Sequence, residues 1–399
     1  MKILQIATKI PYPLEDGSKI GIFNLTDQFL KHGAKVSFAA PYVGNRLDNQ
    51  FTSMVDFIPL PMDNKRYTIA GGIRNLFSSL PYNMEKYWDD SAFRMLSDLC
   101  RDNTFDAVHV DHLHMARYGI ALKEKYGIKV VLREHNFEAD IMGRLSEIAR
   151  NPLLKVYTRL QHSRLLRFES EILRKVDAVL PISEVDERKL SGLVPGVKSF
   201  VVPAGVDLTQ FVPRSAFVGD RILFLSSYDW LPNIDSLTFF VKEILPILHS
   251  KSPHLKTIVA GKATERIPRN SLDSSFEIKG YVKDFNEFSS MASIAVIPLR
   301  VGSGIRIKLL ELMALGMAIV STSLGAEGIE VENGKHLLLA DTPDEFADRI
   351  ACLASSPSLC NELGANAREL VAEKYTWDLV GNKLMDAYQT ILNGHAGNN

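Results

Sequence analysis

Several absences narrow the class of this 399-residue chain before any motif is considered. Cysteine occurs three times, as Cys100, Cys352 and Cys360, an odd number with no CxxC. That argues against a disulfide framework or a structural zinc site and fits a reducing compartment, with each thiol read as a small core side chain. No apolar run approaches the ~20 residues of a spanning helix, and the opening MKILQIA turns polar too soon for a signal peptide. Charge of one sign is missing too. There are 46 Lys and Arg against 47 Asp and Glu, so bulk charge does not suggest a nucleic-acid partner. No GxGxxG, internal repeat or low-complexity segment occurs. What remains is an ordinary composition, 46% apolar and 23% charged, over a length that suits two domains. A cytosolic chain, or at most a membrane-surface one, is expected.

The most informative stretch runs from Ile294 to Thr322. Ile294 to Leu299 reads as a buried strand and Gly302, Ser303 and Gly304 as a loop. Leu309, Leu310, Met313 and Ala314 then recur on one helical face, Gly316 stands where a helix stops, and Met317 to Ser321 is a second strand. Strand, glycine loop, helix, strand is half of a nucleotide-binding α/β unit, with loop amides and a helix N-terminus offered to an anion. Any α/β protein has such units, and Ser303 is also an ordinary N-cap. The local charge tips the reading. Arg306 and Lys308 fall in the first turn, where cations oppose the helix dipole, and so suggest a bound polyanion. Glu311 is an acceptor-only carboxylate suited to a ribose diol or sugar hydroxyls.

These residues carry a resemblance. Gly302-Ser303-Gly304-Ile305-Arg306-x-Lys308-x-Leu310-Glu311-x-Met313-Ala314-x-Gly316, with Gly325-Ala326-Glu327-Gly328-Ile329 beyond, resembles the donor-site segment of the family 4 glycosyltransferases. The resemblance covers nearly the whole chain and is strongest from Arg221 to Val371. It implies the GT-B fold: two Rossmann-like α/β domains whose parallel sheets face an interdomain cleft. It further implies transfer of a sugar from a nucleotide-diphosphate sugar to a hydroxyl acceptor, with retention of configuration. Two departures stand out. The first of the family's two glutamates falls on Ser303. The Arg and Lys that most relatives carry after the first strand of the second domain are missing from Tyr228-Asp229-Trp230-Leu231-Pro232-Asn233, where Arg306 and Lys308 could substitute.

Taken in order, Lys2 to Ala7 reads as a strand, Pro11 to Ser18 as a turn-rich loop, Gly21 to Lys31 as a helix and Ala34 to Ala40 as a second strand. The resemblance puts Gly17 over the donor diphosphate, although as a plain turn it needs no ligand. Phe105 to Val110 and Lys129 to Leu132 are strands. They lead to the polar tips Asp111-His112-Leu113-His114 and Arg133-Glu134-His135-Asn136-Phe137-Glu138, placed where open α/β sheets bind ligands. HxH with a remote His is a weak metal signature, and the chain has no Asp-x-Asp, so no metal is expected. By resemblance His135, Asn136 and Glu138 face the acceptor and the transferring sugar, and His114 or His112 lines the same cleft. Gly280-Tyr281-Val282 resembles the stretch whose backbone holds the donor base.

Pro59 to Pro81 mixes Lys65, Arg66 and Arg74 with Ile73, Leu76 and Phe77, and a helix from Pro152 to Val176 is rich in Arg and Lys. Its Leu153, Val156, Tyr157, Leu160 and Ile172 suffice for a core face. A solvated basic side is then the plain reading of both stretches, with an anionic membrane or lipid-linked acceptor as the alternative.

The expected domains are therefore 1–205, acceptor-binding, joined by a helix at 376–392 that crosses back, and 206–375, donor-binding, with a disordered tail from Asn393. His135, Arg306 and Lys308 are the expected catalytic residues. Gly17, Val282, Gly302, Ser303, Gly304, Ile305 and Glu311 are expected at the donor, and His114, Asn136 and Glu138 on the acceptor side. The expected partners are a nucleotide sugar and a glycan or lipid-linked acceptor, with no cofactor, metal or nucleic acid. The competing readings are an impaired relative acting as a partner subunit or sugar-nucleotide sensor, and a sugar-nucleotide epimerase. Turnover with any acceptor removes the first, and donor conversion without acceptor would reveal the second.

Overall fold

After Lys2 the residues of Lys2–Ile6 are apolar or neutral, and the segment forms β1, buried but for that first residue. The next strands are β2 (Lys35–Pro41), β3 (Asp56–Leu60), β4 (Ala107–Asp111), β5 (Lys129–Glu134) and β6 (Ala178–Pro181), similarly closed to water except for the edge strand β3, of which only Leu60 is buried. They join in the order β3-β2-β1-β4-β5-β6, every pair parallel. A parallel sheet needs helical crossovers that cover both faces, which is why these strands read as continuous apolar runs. The pattern then repeats in β7 (Arg221–Leu225), β8 (Lys256–Ala260), β9 (Phe276–Gly280), β10 (Ile294–Ile297), β11 (Ala318–Ser321) and β12 (Leu338–Leu339). Their order is β12-β11-β10-β7-β8-β9, again parallel, the same topology counted from β7. The computed structural model describes all residues except 45–48, 63–67, 150, 214–216, 268–271, 273, 283 and 395–399, and the side chains of Ile69 and Ser289. Lys65, Arg66 and the last five residues of the expected tail lie outside the described residues.

The chain divides into two compact units, Met1–Pro203 with Val380–Asn399, and Ala204–Leu379. The last helix, Trp377–Asn393, thus delivers its residues from Val380 onward to the first unit. There Tyr388 is fully buried, edge-on to Phe29 at 5.1 Å and hydrogen bonded to His109 Nδ1 at 2.7 Å. Lys129 Nζ donates to the Ile391 carbonyl at 2.6 Å.

Three local expectations change. The first helix spans Gly17–Lys31, four residues longer than its apolar period, because Asp16 caps it by accepting from the Lys19 amide at 2.9 Å. Gly17 is therefore a helix-start residue and not a turn. β5 runs on through Arg133 and Glu134, which belong to a buried strand and not to its polar tip. The helix Pro152–Leu173 buries Thr158, Gln161, Arg164, Leu165, Phe168, Glu169, Ile172 and Leu173, while Leu153 and Val156 are 80% and 67% exposed. Its polar residues face inward because partners wait there: Arg164 donates to the Asn75 carbonyl at 2.8 Å and the Leu76 carbonyl at 3.0 Å. The basic residues of this helix are therefore not all solvated, and its first turns supply no core.

Candidate active site

In each sheet the order reverses beside the first strand, between β1 and β4 and between β7 and β10, the position at whose C-terminal strand ends open α/β sheets bind ligands. The expected site residues collect at these two places.

In the first unit Asp111 ends β4, fully buried. Gln5 Nε2 of β1 donates to its Oδ2 at 2.6 Å, and His135 Nε2 lies 3.2 Å and His109 Nε2 3.4 Å from its Oδ1. Burial alone would raise this carboxyl. His109 and His135 outweigh burial and hold it well below the usual carboxylate range. A carboxylate has no proton to give, so His135 carries its hydrogen on Nε2 and Nδ1 is its acceptor atom. Burial lowers the His135 pKa, which favours the neutral ring. His112 stacks flat on His135, centroids 3.9 Å apart and 6° from parallel, and its Nε2 is 3.0 Å from Ser18 Oγ. It stands at φ 71°, a conformation non-glycine residues rarely take, because the chain must turn sharply from β4 into the next helical turn. His114, 6.2 Å from His112, packs edge-on to Tyr87 at 5.2 Å, and burial first and Lys86 second push it down to about 3.

His135 and His112 are thus gathered beside Asp111, with His114 beyond His112. Asn136 and Glu138 follow His135 in chain and bond to each other. Glu138 opens the helix Glu138–Ile148, and burial, against the Asn136 bond, pushes its carboxyl up to about 7. No side chain of the preceding residue caps this helix. Glu169 does so from the neighbouring helix, its Oε1 accepting from the Glu138 amide at 2.8 Å. Glu134 lies in the same buried cluster; burial first, then repulsion from Glu169 on Glu134 and from Glu138 on Glu169, raises both well above the ordinary range. Sequence reasoning passed over Gln5 and Glu169, and named Asp111 and Glu134 only as members of the polar tips, without a role of their own. Only the position of Asp111 at the end of an apolar strand signalled its role.

In the second unit β10 passes into the loop at Pro298–Gly304 and then the helix Ile307–Ala314. Gly302 and Gly304 take φ 149° and 76°, backbone that favours glycine, and a Cβ on Gly302 would stand 2.7 Å from Arg306 Nη2. Ser303 and Ile305 are buried. Arg306 is the N-cap residue and not a first-turn one, and its Nη1 donates to the carbonyls of Ser303 and Gly304. Lys308 lies in the first turn. Glu311, one turn further, is buried, and burial, opposed by Lys308, pushes its carboxyl up to about 7. The helix ends at Gly316 in the left-handed region, φ 66°. Arg300, within the loop, is anchored by Asp235 at 3.1 and 2.8 Å and lies over the Phe239 ring at 4.3 Å. Val282 follows β9, two residues past Gly280, and is partly exposed. Gly17 begins its helix in the first unit, where Lys9 Nζ stands 3.2 Å from the capping Asp16. Among the described residues no group of three or more His, Cys, Asp and Glu is placed to hold a metal ion.

Comparison with known proteins agrees with this architecture. A Glycosyltransferase Family 4 model matches residues 16–210 and a Glycosyl transferases group 1 model residues 219–356, one per unit and together most of the chain. A phosphatidyl-myo-inositol mannosyltransferase of Mycobacterium tuberculosis is 26% identical over 67% of this chain and 75% of its own. Sucrose-phosphate synthase of Thermosynechococcus elongatus superposes with TM-score 0.76 over 99% of this chain and 100% of its own, at 16% identity. HepE of Anabaena, solved with UDP and glucose, does so with TM-score 0.69 over 98% and 100%, at 12% identity. Two doubly wound units of this topology define the GT-B class of glycosyltransferase. The chain belongs to glycosyltransferase family 4.

Proposed function

We propose that this glycosyltransferase moves a hexosyl group from a nucleotide-diphosphate sugar to a hydroxyl of a glycan or lipid-linked acceptor, retaining the anomeric configuration and using no metal. The observation that carries the reading is the β10 loop at the switch point of the second sheet, which joins two glycines of positive φ to a helix N-terminus bearing Lys308, with buried Glu311 a turn beyond. Cleavage of the donor's glycosidic bond puts charge on the departing diphosphate. Stabilisation of that charge falls to Lys308, the amides of Gly302 to Ile305 and the helix N-terminus. Arg306 adds positive charge while its bonds to the Ser303 and Gly304 carbonyls hold the loop in shape. With these cations in place the reaction has no need of a metal to balance the diphosphate. Glu311 takes the ribose hydroxyls, the backbone at Val282 the base, and Gly17 the diphosphate.

In the first unit His135, oriented by Asp111, binds a hydroxyl of the transferring sugar through Nδ1. Asn136, Glu138 and His114 line the acceptor side. The mannosyltransferase relative, named for phosphatidyl-myo-inositol, and HepE, solved with UDP and glucose, fit this choice of acceptor and donor. Retention follows the family assignment, and a place in cell-envelope polysaccharide synthesis at the cytoplasmic face suits such acceptors.

The test is thermal stabilisation by UDP-, GDP-, ADP- and CMP-sugars, on the wild type and on Glu311→Ala. A selective rise, lost in the variant, is expected. At a free ligand excess of ~100 times Kd it amounts to roughly 2.7 kcal/mol. Silence toward every nucleotide sugar would remove the donor assignment and favour a partner-subunit role.

A further inference from the structure

The helix Pro152–Leu173 and the short helix Ile69–Asn75 lie side by side on the first unit. Arg164 bonds the Asn75 and Leu76 carbonyls, and Gln161 Nε2 donates to Asn75 Oδ1 at 2.9 Å. The Tyr157 hydroxyl stands 3.7 Å from where a Cβ on Gly72 would be. These inward polar groups fix the pair and leave an apolar outer side. Phe77 is 92% exposed, Leu153 80%, Val156 67% and Ile73 57%, with Leu76 and Leu154 nearly half exposed. Exposed leucines scattered singly are ordinary, but six large apolar side chains on two adjoining segments are not.

Their charge surroundings choose the occupant. No acidic residue occurs from Thr68 to Met84 or from Asn151 to Phe168, while Arg74, Arg159 and Arg167 are exposed along the same segments. Projecting apolar side chains beside cations, on segments that carry no acidic residue of their own and with the nearby Glu85 carboxylate taken up by Asn75 Nδ2 at 2.5 Å, match the boundary of an anionic bilayer. The side chains enter the acyl edge while the guanidinium groups meet lipid phosphates. A second copy of the chain fits poorly, because a two-fold contact would press this cationic face against itself. We propose that this face docks the protein on an anionic lipid surface. The proposal stands apart from the donor site, whose residues it does not use.

Sedimentation with phosphatidylcholine vesicles, with and without phosphatidylglycerol, tests it. The wild type is expected to pellet with the anionic vesicles, less at high salt, and to stay in solution with phosphatidylcholine alone. Phe77→Ser with Leu153→Ser should weaken binding at least about tenfold, as should Arg159→Glu with Arg74→Glu. All four side chains are exposed, so unchanged melting of the variants is expected. Phe77→Trp, whose emission should shift to the blue only on anionic vesicles, reads docking without a loss of binding. Absence of binding, equal binding to neutral vesicles, or binding indifferent to both double variants would overturn the proposal. So would a dimer by light scattering that the Ser variants abolish, since the face would then serve a second copy.

Discussion

Glu311 is a carboxyl that burial has moved to where a neutral solution half-ionises it, at about 7. Its ordinary value is near 4.5, so between those two values the unfolded chain has lost the proton while the folded one keeps it. Stability from this group is therefore full below pH 4.5 and falls as pH rises to about 7, beyond which the loss is constant. Glu311→Gln does not titrate. The stability of this variant relative to wild type is expected to grow from pH 4.5 to 7 and then level, by on the order of 3 kcal/mol. Chemical denaturation at several pH values measures it, and a flat difference would contradict the burial argument. Taking the difference matters because His112 and His114, lowered by burial, oppose the trend: they cost stability as pH falls below their usual 6.5.

Asp111 acts through another residue. If its task is to hold His135, Asp111→Asn should reduce kcat on the order of a hundredfold. The double variant Asp111→Asn, His135→Ala should then be little slower than His135→Ala alone. Multiplying losses would mean that Asp111 serves something other than His135.

Among the elements, the strands and the β10 loop were the most legible. Parallel strands buried on both faces declare themselves as apolar runs, and the glycines of the loop mark backbone that other residues rarely adopt. Polar residues turned inward were not legible. Glu169 sits on a helix whose period invites a solvated reading, yet it caps the helix Glu138–Ile148 from outside, through a contact 31 residues away in sequence. Arg133 hides in β5 for the same reason, donating to the carbonyls of Leu180, Val202 and Pro203 at the end of the first unit. Apolar periodicity records what avoids water and says nothing of a polar group whose partners come from another element.

The cap gives a prediction at this scale. Glu169→Ala removes the acceptor for the Glu138 amide and should cost about 1–2 kcal/mol, a fall of a few degrees in Tm. Glu169→Gln keeps an acceptor and removes its repulsion from Glu138 and its repulsion on Glu134, so at pH 8 it should melt no lower than wild type. Equal losses in both variants would show that the carboxylate charge, and not the acceptor, is what the helix needs.

At the scale of the whole molecule the chain is not two beads in sequence. The first unit is completed by residues that lie beyond the second, with Val380, Leu384, Ala387, Tyr388 and Ile391 all buried. Burial of four such large side chains stabilises by roughly 6–12 kcal/mol, comparable with the about 5–15 kcal/mol that holds a domain folded. The fragment 1–203 alone should therefore fail to fold cooperatively, and linking 380–394 to it should restore a single melting transition. The fragment 204–379 carries a complete six-stranded sheet and should fold by itself. Circular dichroism melts of the three fragments decide the matter. A cooperative transition in 1–203 alone would mean that Tyr388 and its neighbours cover a core already closed without them. Failure with the linked helix would mean that the first unit depends on the second for more than its returning chain.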